Sequence, residues 1–128
     1  MVFPFHFGFL PFTRAEDGDP LDVLVLLDEP AWPGCLITCN IIGVLEAEEM
    51  KKGQTIRNDR LIATAKASEK YNKVKSLYSL DKYLEKEIEN FFNTYTALEK
   101  KELKIISKRG RKTAINLIKK NQIDGNHK

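Results

Sequence analysis

Three aspartates lie within six residues, and a short apolar run follows them at once. The acidic segment is Asp17–Asp22, and the run is Val23–Leu27. Branched side chains in the run, with Gly18 and Pro20 before it, predict a buried strand over 22–27 that begins directly after a turn. Carboxylates at the mouth of a buried strand repel one another unless water or a cation surrounds them. Mg²⁺ and Ca²⁺ take oxygen ligands, so the segment indicates either a divalent-cation site or a solvated acidic turn.

Further strands are predicted on both sides of this turn. Residues 1–12 alternate large apolar residues with Pro and Gly, which favours an extended segment followed by a turn. A long strand over 35–47 is expected to bend or bulge at Gly43. A charged hairpin loop over 48–58 is expected to lead into a returning strand over 59–65. The first half of the chain is therefore predicted to form a sheet.

Helices are predicted in the second half. Apolar residues recur at three- and four-residue spacing over 79–99, and Ser79 is the expected N-cap of that helix. A second helix is predicted over 111–121. Strands first and helices last indicate an α+β domain in which a small barrel or strongly bent sheet carries helices on its outside.

Length and composition point to one domain in a reducing compartment. A chain of 128 residues predicts a single domain over 1–128. No stretch approaches the roughly 18 apolar residues of a membrane span, so no membrane partner is expected. The N-terminus lacks the basic segment of a signal peptide. Cys35 and Cys39 are too far apart along a strand to form a disulfide, and free thiols favour a cytoplasmic location.

The charge of the chain is unevenly distributed. The net charge is +3, but residues 1–30 hold six acids and one arginine, whereas residues 100–128 hold ten bases and two acids. A basic C-terminal segment is compatible with nucleic-acid binding. No aromatic residue lies among those bases to stack on single strands, and the aspartates would repel phosphate. A solvated basic helix face without a nucleic-acid partner is therefore the preferred interpretation.

Several short segments surround the aspartates in a characteristic order. They are Phe3–Pro11, Pro30–Gly34, Ile42–Leu45, Asp59–Ala63 and Phe91–Tyr95. Together with the core DGDPLDVLV, this order resembles the soluble, Mg²⁺-dependent inorganic pyrophosphatases of family I over about residues 1–105. The resemblance implies an OB-like five-stranded β-barrel with two C-terminal helices outside. It also implies hydrolysis of pyrophosphate to two phosphates by a metal-activated water, with Mg²⁺ as cofactor, and it leaves a homo-oligomer open.

The resemblance also implies roles for individual residues. Asp17 and Asp22 match metal ligands, and Asp22 would bridge two ions. Asp19 matches the catalytic base that accepts a proton from the attacking water. Glu49 falls where the family carries another acidic ligand. The implied phosphate-binding residues are Arg60, in place of a family lysine, and Tyr95.

The sequence departs from the family pattern at several positions. Asn58 stands where the family has a metal-binding aspartate, and Asp59 lies beside it. Neighbouring strand residues point to opposite faces, so Asp59 would reach the site only through a shift in register. Phe3 and Phe7 replace two tyrosines and would form a wall of the substrate pocket without donating to phosphate. Thr96 replaces a phosphate-binding lysine.

The family's N-terminal strands are a further departure. They carry a lysine, an arginine and two acidic site residues, and they have no counterpart in this sequence. The expected barrel is therefore incomplete at its N-terminal side, and weak hydrolysis is expected because cationic donors are absent. A catalytically impaired relative, which binds only Mg²⁺ or phosphate or serves as a subunit, is the alternative function.

Overall fold

A computed structural model describes residues 5–32, 34–98 and 102–123, without the side chains of residues 51 and 95–97. The strands and helices of the described residues are β1 (Phe5–Leu10), β2 (Leu21–Leu26), β3 (Cys39–Lys51), β4 (Gln54–Arg57), β5 (Arg60–Ala65), α1 (Lys82–Leu98), β6 (Glu102–Gly110) and α2 (Arg111–Asn121). A short 3-10 turn, Leu77–Ser79, precedes α1.

All six strands join one sheet. Its order is β1-β2-β5-β3-β4, and β6 also pairs with β3. β2 runs parallel to β5, and this pair places Asp22 directly beside Arg60. β3 runs antiparallel to β5, β4 and β6, with a register irregularity between Ile41 and Gly43. The long β3 therefore connects the two halves of the sheet.

Each face of the sheet carries its own apolar core. The first core lies under α1 and consists of Phe5, Leu24, Leu26, Ile42, Leu45, Ile62, Tyr71, Leu77, Leu80, Ile88 and Phe92. The second lies under α2 and consists of Leu21, Val23, Val25, Leu27, Val44, Leu61, Ala63, Ala65 and Ala114. Successive residues of β2 alternate between the two cores, because strand side chains point to opposite faces in turn. Asp22 therefore faces the side of α1.

The residues after α2 pair with the segment that leads into the aspartates. The Arg14 N–H donates to the Asn121 carbonyl at 2.9 Å, and the Ile123 N–H donates to the Phe12 carbonyl at 2.8 Å. Thr13 and Gln122 form a β-bridge between these two hydrogen bonds. We call this pairing of residues 12–14 with 121–123 the terminal clasp. It holds the acidic end of the chain against the basic end.

The predicted elements are largely confirmed. The strand expected over 22–27 is β2, and the helix expected over 111–121 is α2 with the same bounds. The irregularity beside Gly43 confirms the expected bend. None of the helices among the described residues is long and apolar enough to cross a membrane. Cys35 is exposed, Cys39 is half-buried, and both are free thiols.

Three local predictions were wrong. The expected loop over 48–58 is instead the end of β3, a tight turn and β4, since Lys52 and Gly53 turn the chain with positive φ. The helix cap is Asp81 and not Ser79, because the Asp81 Oδ1 accepts the Leu84 N–H at 2.8 Å. The strand β6 was not predicted.

Candidate active site

The aspartate turn is fixed by its own backbone. The Ala15 N–H donates to the Asp19 carbonyl at 2.8 Å, and the Gly18 N–H donates to the Ala15 carbonyl at 3.0 Å. Gly18 has φ of 89°, which disfavours any residue with a Cβ. The Asp17 Oδ1 accepts the Asp19 N–H at 3.0 Å, which orients the Asp17 carboxylate within the turn. These contacts place three carboxylates at the entry of β2.

Arg60 lies between two of the predicted metal-binding carboxylates. Its Nη1 lies 3.0 Å from the Asp22 Oδ2, and its Nη2 donates to the Glu49 Oε1 at 2.7 Å. The Arg60 side chain is 3% exposed, whereas that of Asp22 is 24% exposed. The Arg60 Nε is buried without a hydrogen-bond partner among the described residues. A buried donor without a partner costs about 1–3 kcal/mol of folding free energy. The described residues therefore leave the hydrogen-bonding capacity of this guanidinium partly unused.

Two aromatic rings support the same guanidinium. The Arg60 Cζ lies 5.7 Å from the centroid of the Phe7 ring and 5.4 Å from that of Phe92. The two rings meet edge to face with centroids 6.0 Å apart. The two distances from the Arg60 Cζ to the ring centroids are within the range of cation–π attraction. This attraction is stronger where water is excluded. Phe7 therefore packs against the guanidinium of Arg60.

The pKa of the Asp22 carboxyl reflects its burial first and the neighbouring charges second. Burial is the main reason that the pKa of its carboxyl is raised from 3.8 to about 6. Arg60 opposes this rise, but Asp17, Glu49 and Asp19 add to it. One arginine thus does not neutralise four converging carboxylates.

The chemistry of these donors fits a divalent cation. All are carboxylate oxygens, which hard cations prefer, and an added positive charge would relieve their repulsion. Within the described part of the chain, no three acidic, histidine or cysteine side chains already stand close enough together to hold an ion. The Asp22 and Glu49 oxygens bonded to Arg60 would have to exchange partners for an ion to bind there.

A second cluster of charges lies on the opposite face of the sheet. The Asp59 Oδ1 accepts the Ala47 N–H at 3.0 Å and the Arg57 Nε at 2.6 Å. Arg57 also donates to Glu46 at 2.7 Å. The side chain of Ser107 and the Nε of Arg109 bind the other Glu46 oxygen and lower the pKa of Glu46. Of these residues, Glu46, Arg57 and Asp59 line a cavity of about 290 Å³ beneath α2.

The structure brings together most of the predicted site residues, but not all. Those that converge at one edge are Asp17, Asp19, Asp22, Glu49, Arg60 and Phe7. Asp59 lies on the other face with Arg57, as strand alternation requires, so no register shift brings it to Asp22. Asn58 is buried beside it, and its N–H donates to the Ala47 carbonyl at 2.8 Å. Phe3 and the Tyr95 side chain lie outside the described part of the structure.

Sequence reasoning missed two residues around this site. Phe92 was assigned only to the apolar face of the helix, although it also contacts Arg60. Arg57, on the opposite face of the sheet, gave no signal, because its pairing with Glu46 depends on the register of β3 with β4. The only available sign for Phe92 was its place beside Phe91 in one of the characteristic segments.

Comparison with known proteins agrees with this geometry. A family model described as inorganic pyrophosphatase matches residues 1–124. The chain is 36% identical to an inorganic pyrophosphatase of Methanosarcina mazei over 118 residues, covering 92% of this chain and 68% of the relative. It is 40% identical to an inorganic pyrophosphatase of Synechocystis over 104 residues, covering 81% and 59%. The chain thus spans between 59% and 68% of the length of these two relatives.

A solved structure gives the same result for the fold. An inorganic pyrophosphatase of Helicobacter pylori superimposes with a TM-score of 0.81 and 32% identity, covering 93% of this chain and 69% of that one. This similarity confirms the predicted α+β class and OB-like barrel architecture. A family match over nearly the whole chain and a shared fold agree with the converging acids, and the chain belongs to the inorganic pyrophosphatase family.

Proposed function

We propose that this chain hydrolyses inorganic pyrophosphate to two phosphates in a Mg²⁺-dependent reaction in the cytoplasm. The observation that carries the proposal is the convergence of Asp17, Asp19, Asp22 and Glu49 with Arg60 at one sheet edge, in a member of this family. Pyrophosphate carries several negative charges and needs both cations and hydrogen-bond donors. The site offers carboxylates for the cations and a guanidinium for the phosphate.

Members of this family use divalent metal ions, and Mg²⁺ is the ion we assign to the carboxylates. Asp17, Asp22 and Glu49 would hold it. When bound, such an ion lowers the pKa of a water and offsets the charge of the substrate. Asn58 is a better additional ligand than Asp59. In extended backbone it shares the face of Arg60, whereas the Asp59 carboxylate is bonded to Arg57 and Ala47.

The remaining side chains act on the substrate and its protons. Asp19 is exposed at the tip of the turn, where its carboxylate accepts a proton from the attacking water. Arg60 binds phosphoryl oxygens with its planar fork. Phe7 excludes water beside it. By similarity to the family alone, we assign the same role to Phe3 and the donation of a hydrogen bond to phosphate to the Tyr95 hydroxyl. Thr96, in place of a lysine, leaves the site with less positive charge than is usual in the family.

A phosphate-release assay tests this function. We expect release from pyrophosphate that requires Mg²⁺, and the Asp19→Asn variant should lose about 100-fold or more in rate, as when a general base is removed. Glu16→Gln is the matched control, because it removes one exposed charge from the same turn without touching the proposed machinery. Mg²⁺ binding without any phosphate release would contradict the proposal and favour the impaired relative.

The proposed partner set is pyrophosphate alone, without nucleic acid or membrane. Self-association into a homo-oligomer is left open, and sedimentation measures it. The basic residues near the C-terminal end already have acidic partners in part: Lys108 contacts Glu85 at 3.1 Å, and Arg109 contacts Glu46 at 3.2 Å. These pairs lower the positive charge that a nucleic acid would meet on β6.

A further inference from the structure

Arg60 stands where a cation would stand between two carboxylates. One arm of its guanidinium lies 3.0 Å from Asp22 on β2, and the other lies 2.7 Å from Glu49 on β3. Its own strand, β5, lies between those two strands in the sheet. The fork of an arginine matches this two-armed arrangement, whereas a lysine is a point charge that cannot bridge in the same way. Arg60 thus already fills the space between Asp22 and Glu49.

The carboxylates that hold Arg60 are among those assigned above to Mg²⁺. A divalent ion bound to these carboxylates would repel the positively charged guanidinium held beside them. We infer that Arg60 competes with Mg²⁺ for Asp22 and Glu49, and that binding of the ion breaks both ion pairs and releases the guanidinium to phosphate. This inference rests on the proposed function, since it concerns the same carboxylates.

The position of Arg60 makes such a release feasible. Its Nε is buried and makes no hydrogen bond to the described residues, so the paired state leaves one donor unsatisfied. Asp22 is far more exposed than Arg60, so an ion can approach from the Asp22 side without first crossing the arginine. Phe7 and Phe92 attract the guanidinium at 5.7 and 5.4 Å independently of the carboxylates. The released arginine therefore stays beside the site.

Competition of this kind couples the ion to the substrate. Pyrophosphate that draws Arg60 away frees Asp22 and Glu49 for the ion, and the ion in turn frees Arg60 for phosphate. Thermodynamic linkage requires both effects to be equal in size. Mg²⁺ should therefore bind less tightly to the substrate-free protein than the number of carboxylates would suggest, and more tightly when pyrophosphate is present.

Calorimetric titration of Mg²⁺ without pyrophosphate tests the competition. We expect Arg60→Gln to bind Mg²⁺ about tenfold more tightly than the unsubstituted chain or more, which corresponds to about 1.4 kcal/mol. Arg57→Gln is the matched control. It removes the same charge from another arginine that pairs with two acids, but on the opposite face, and should change the affinity by less than about threefold. Equal or weaker binding by Arg60→Gln would overturn the inference.

A second measurement uses the unsubstituted chain and does not depend on the stability of a variant. In ¹⁵N-arginine-labelled protein without pyrophosphate, Mg²⁺ should shift the Arg60 Nε–H signal by NMR and expose it to faster exchange with water. The Arg57 signal should stay unchanged. If Mg²⁺ binds and the Arg60 signal does not move, the competition is wrong while the metal site stands. If Mg²⁺ binds neither the unsubstituted chain nor either of the two arginine variants, the proposed function is wrong as well.

Discussion

At the scale of single residues, Thr13 fastens the aspartate turn through one hydroxyl. Its Oγ1 donates to the Leu10 carbonyl at 2.6 Å and accepts the Leu21 N–H at 3.0 Å. One side chain thus joins the end of β1 to the start of β2, on the two sides of the acidic segment. Thr13 is buried, and so is its hydrogen bond from the Leu21 N–H, so that N–H has no water as an alternative partner. The position of the three aspartates depends on this contact.

Replacing that hydroxyl should be costly. Thr13→Val keeps the shape of the side chain but leaves the buried Leu21 N–H without its hydroxyl acceptor, so we expect the free energy of unfolding to fall by about 1–3 kcal/mol. Urea denaturation measures the loss. Thr55→Val is the control, because Thr55 is exposed on β4 and its substitution should be nearly neutral. A Thr13→Val variant as stable as the control would show that the hydroxyl does not fasten the turn.

Sequence reasoning identified those candidate site residues that form a recognisable pattern within a short segment of the chain. Three aspartates beside a buried strand imply converging carboxylates, and parallel pairing of β2 with β5 then places Arg60 beside Asp22. The ion pair of Arg57 with Glu46 joins residues 11 positions apart across a hairpin whose paired strands were predicted to be loop. An ion pair between two strands leaves no periodic pattern in the sequence. It becomes visible only when the register of the strands is known.

At the scale of elements, β3 bends at Gly43 because other elements press against it. A Cβ built at Gly43 would lie 2.7 Å from the Arg109 carbonyl oxygen of β6 and 2.7 Å from the Leu77 Cβ of the 3-10 turn. Only glycine permits both approaches. The contact brings β6 and the turn before α1 onto the same point of the central strand.

Two glycines of the sheet, Gly43 and Gly8, provide a matched pair of substitutions. Gly43→Ala should lower the free energy of unfolding by about 1–3 kcal/mol, because backbone and a short side chain must move apart. Gly8→Ala in β1 meets no atom within 4 Å and should be nearly neutral. Thermal unfolding of both variants measures the difference. Equal melting temperatures would mean that the close approach at Gly43 is relaxed in solution.

The strand β6 shows why one element escaped sequence reasoning. Leu103 and Ile105 face the first core in alternation with exposed residues, which is the pattern of a half-buried strand. Lys104, Lys108 and Arg109 lie among the other positions, so the segment was interpreted as part of a solvated basic helix face. Its strand state depends on pairing with β3, a contact between distant parts of the chain, and local propensity does not reveal such a contact.

At the scale of the whole molecule, folding gathers acids that repel one another. Four carboxylates share the edge near Asp22, and one arginine offsets them only in part. The folded state therefore carries an electrostatic cost that an added cation relieves. An ion that binds only the folded chain raises its stability by mass action.

Magnesium should therefore raise the melting temperature. At about 100 times the dissociation constant, binding to the folded state alone contributes about 2.7 kcal/mol, enough for a rise of at least about 5 °C in a domain of this size. Na⁺ at equal ionic strength is the control for general screening. The rise should largely disappear in an Asp17→Asn/Asp22→Asn double variant. An equal rise in that variant would place the ion elsewhere.

On the ribosome, the aspartate turn emerges long before the residues that fasten it. Synthesis runs from the N-terminus, so Asp17–Asp22 leave the exit tunnel while Asn121 and Ile123 have yet to be joined to the chain. The terminal clasp closes only when nearly all of this sequence has been translated. A nascent chain stalled before residue 121 thus carries every acidic ligand but lacks the pairing that holds their turn in place. The turn is therefore secured only after residues 121–123 have been made, although its own residues are translated much earlier.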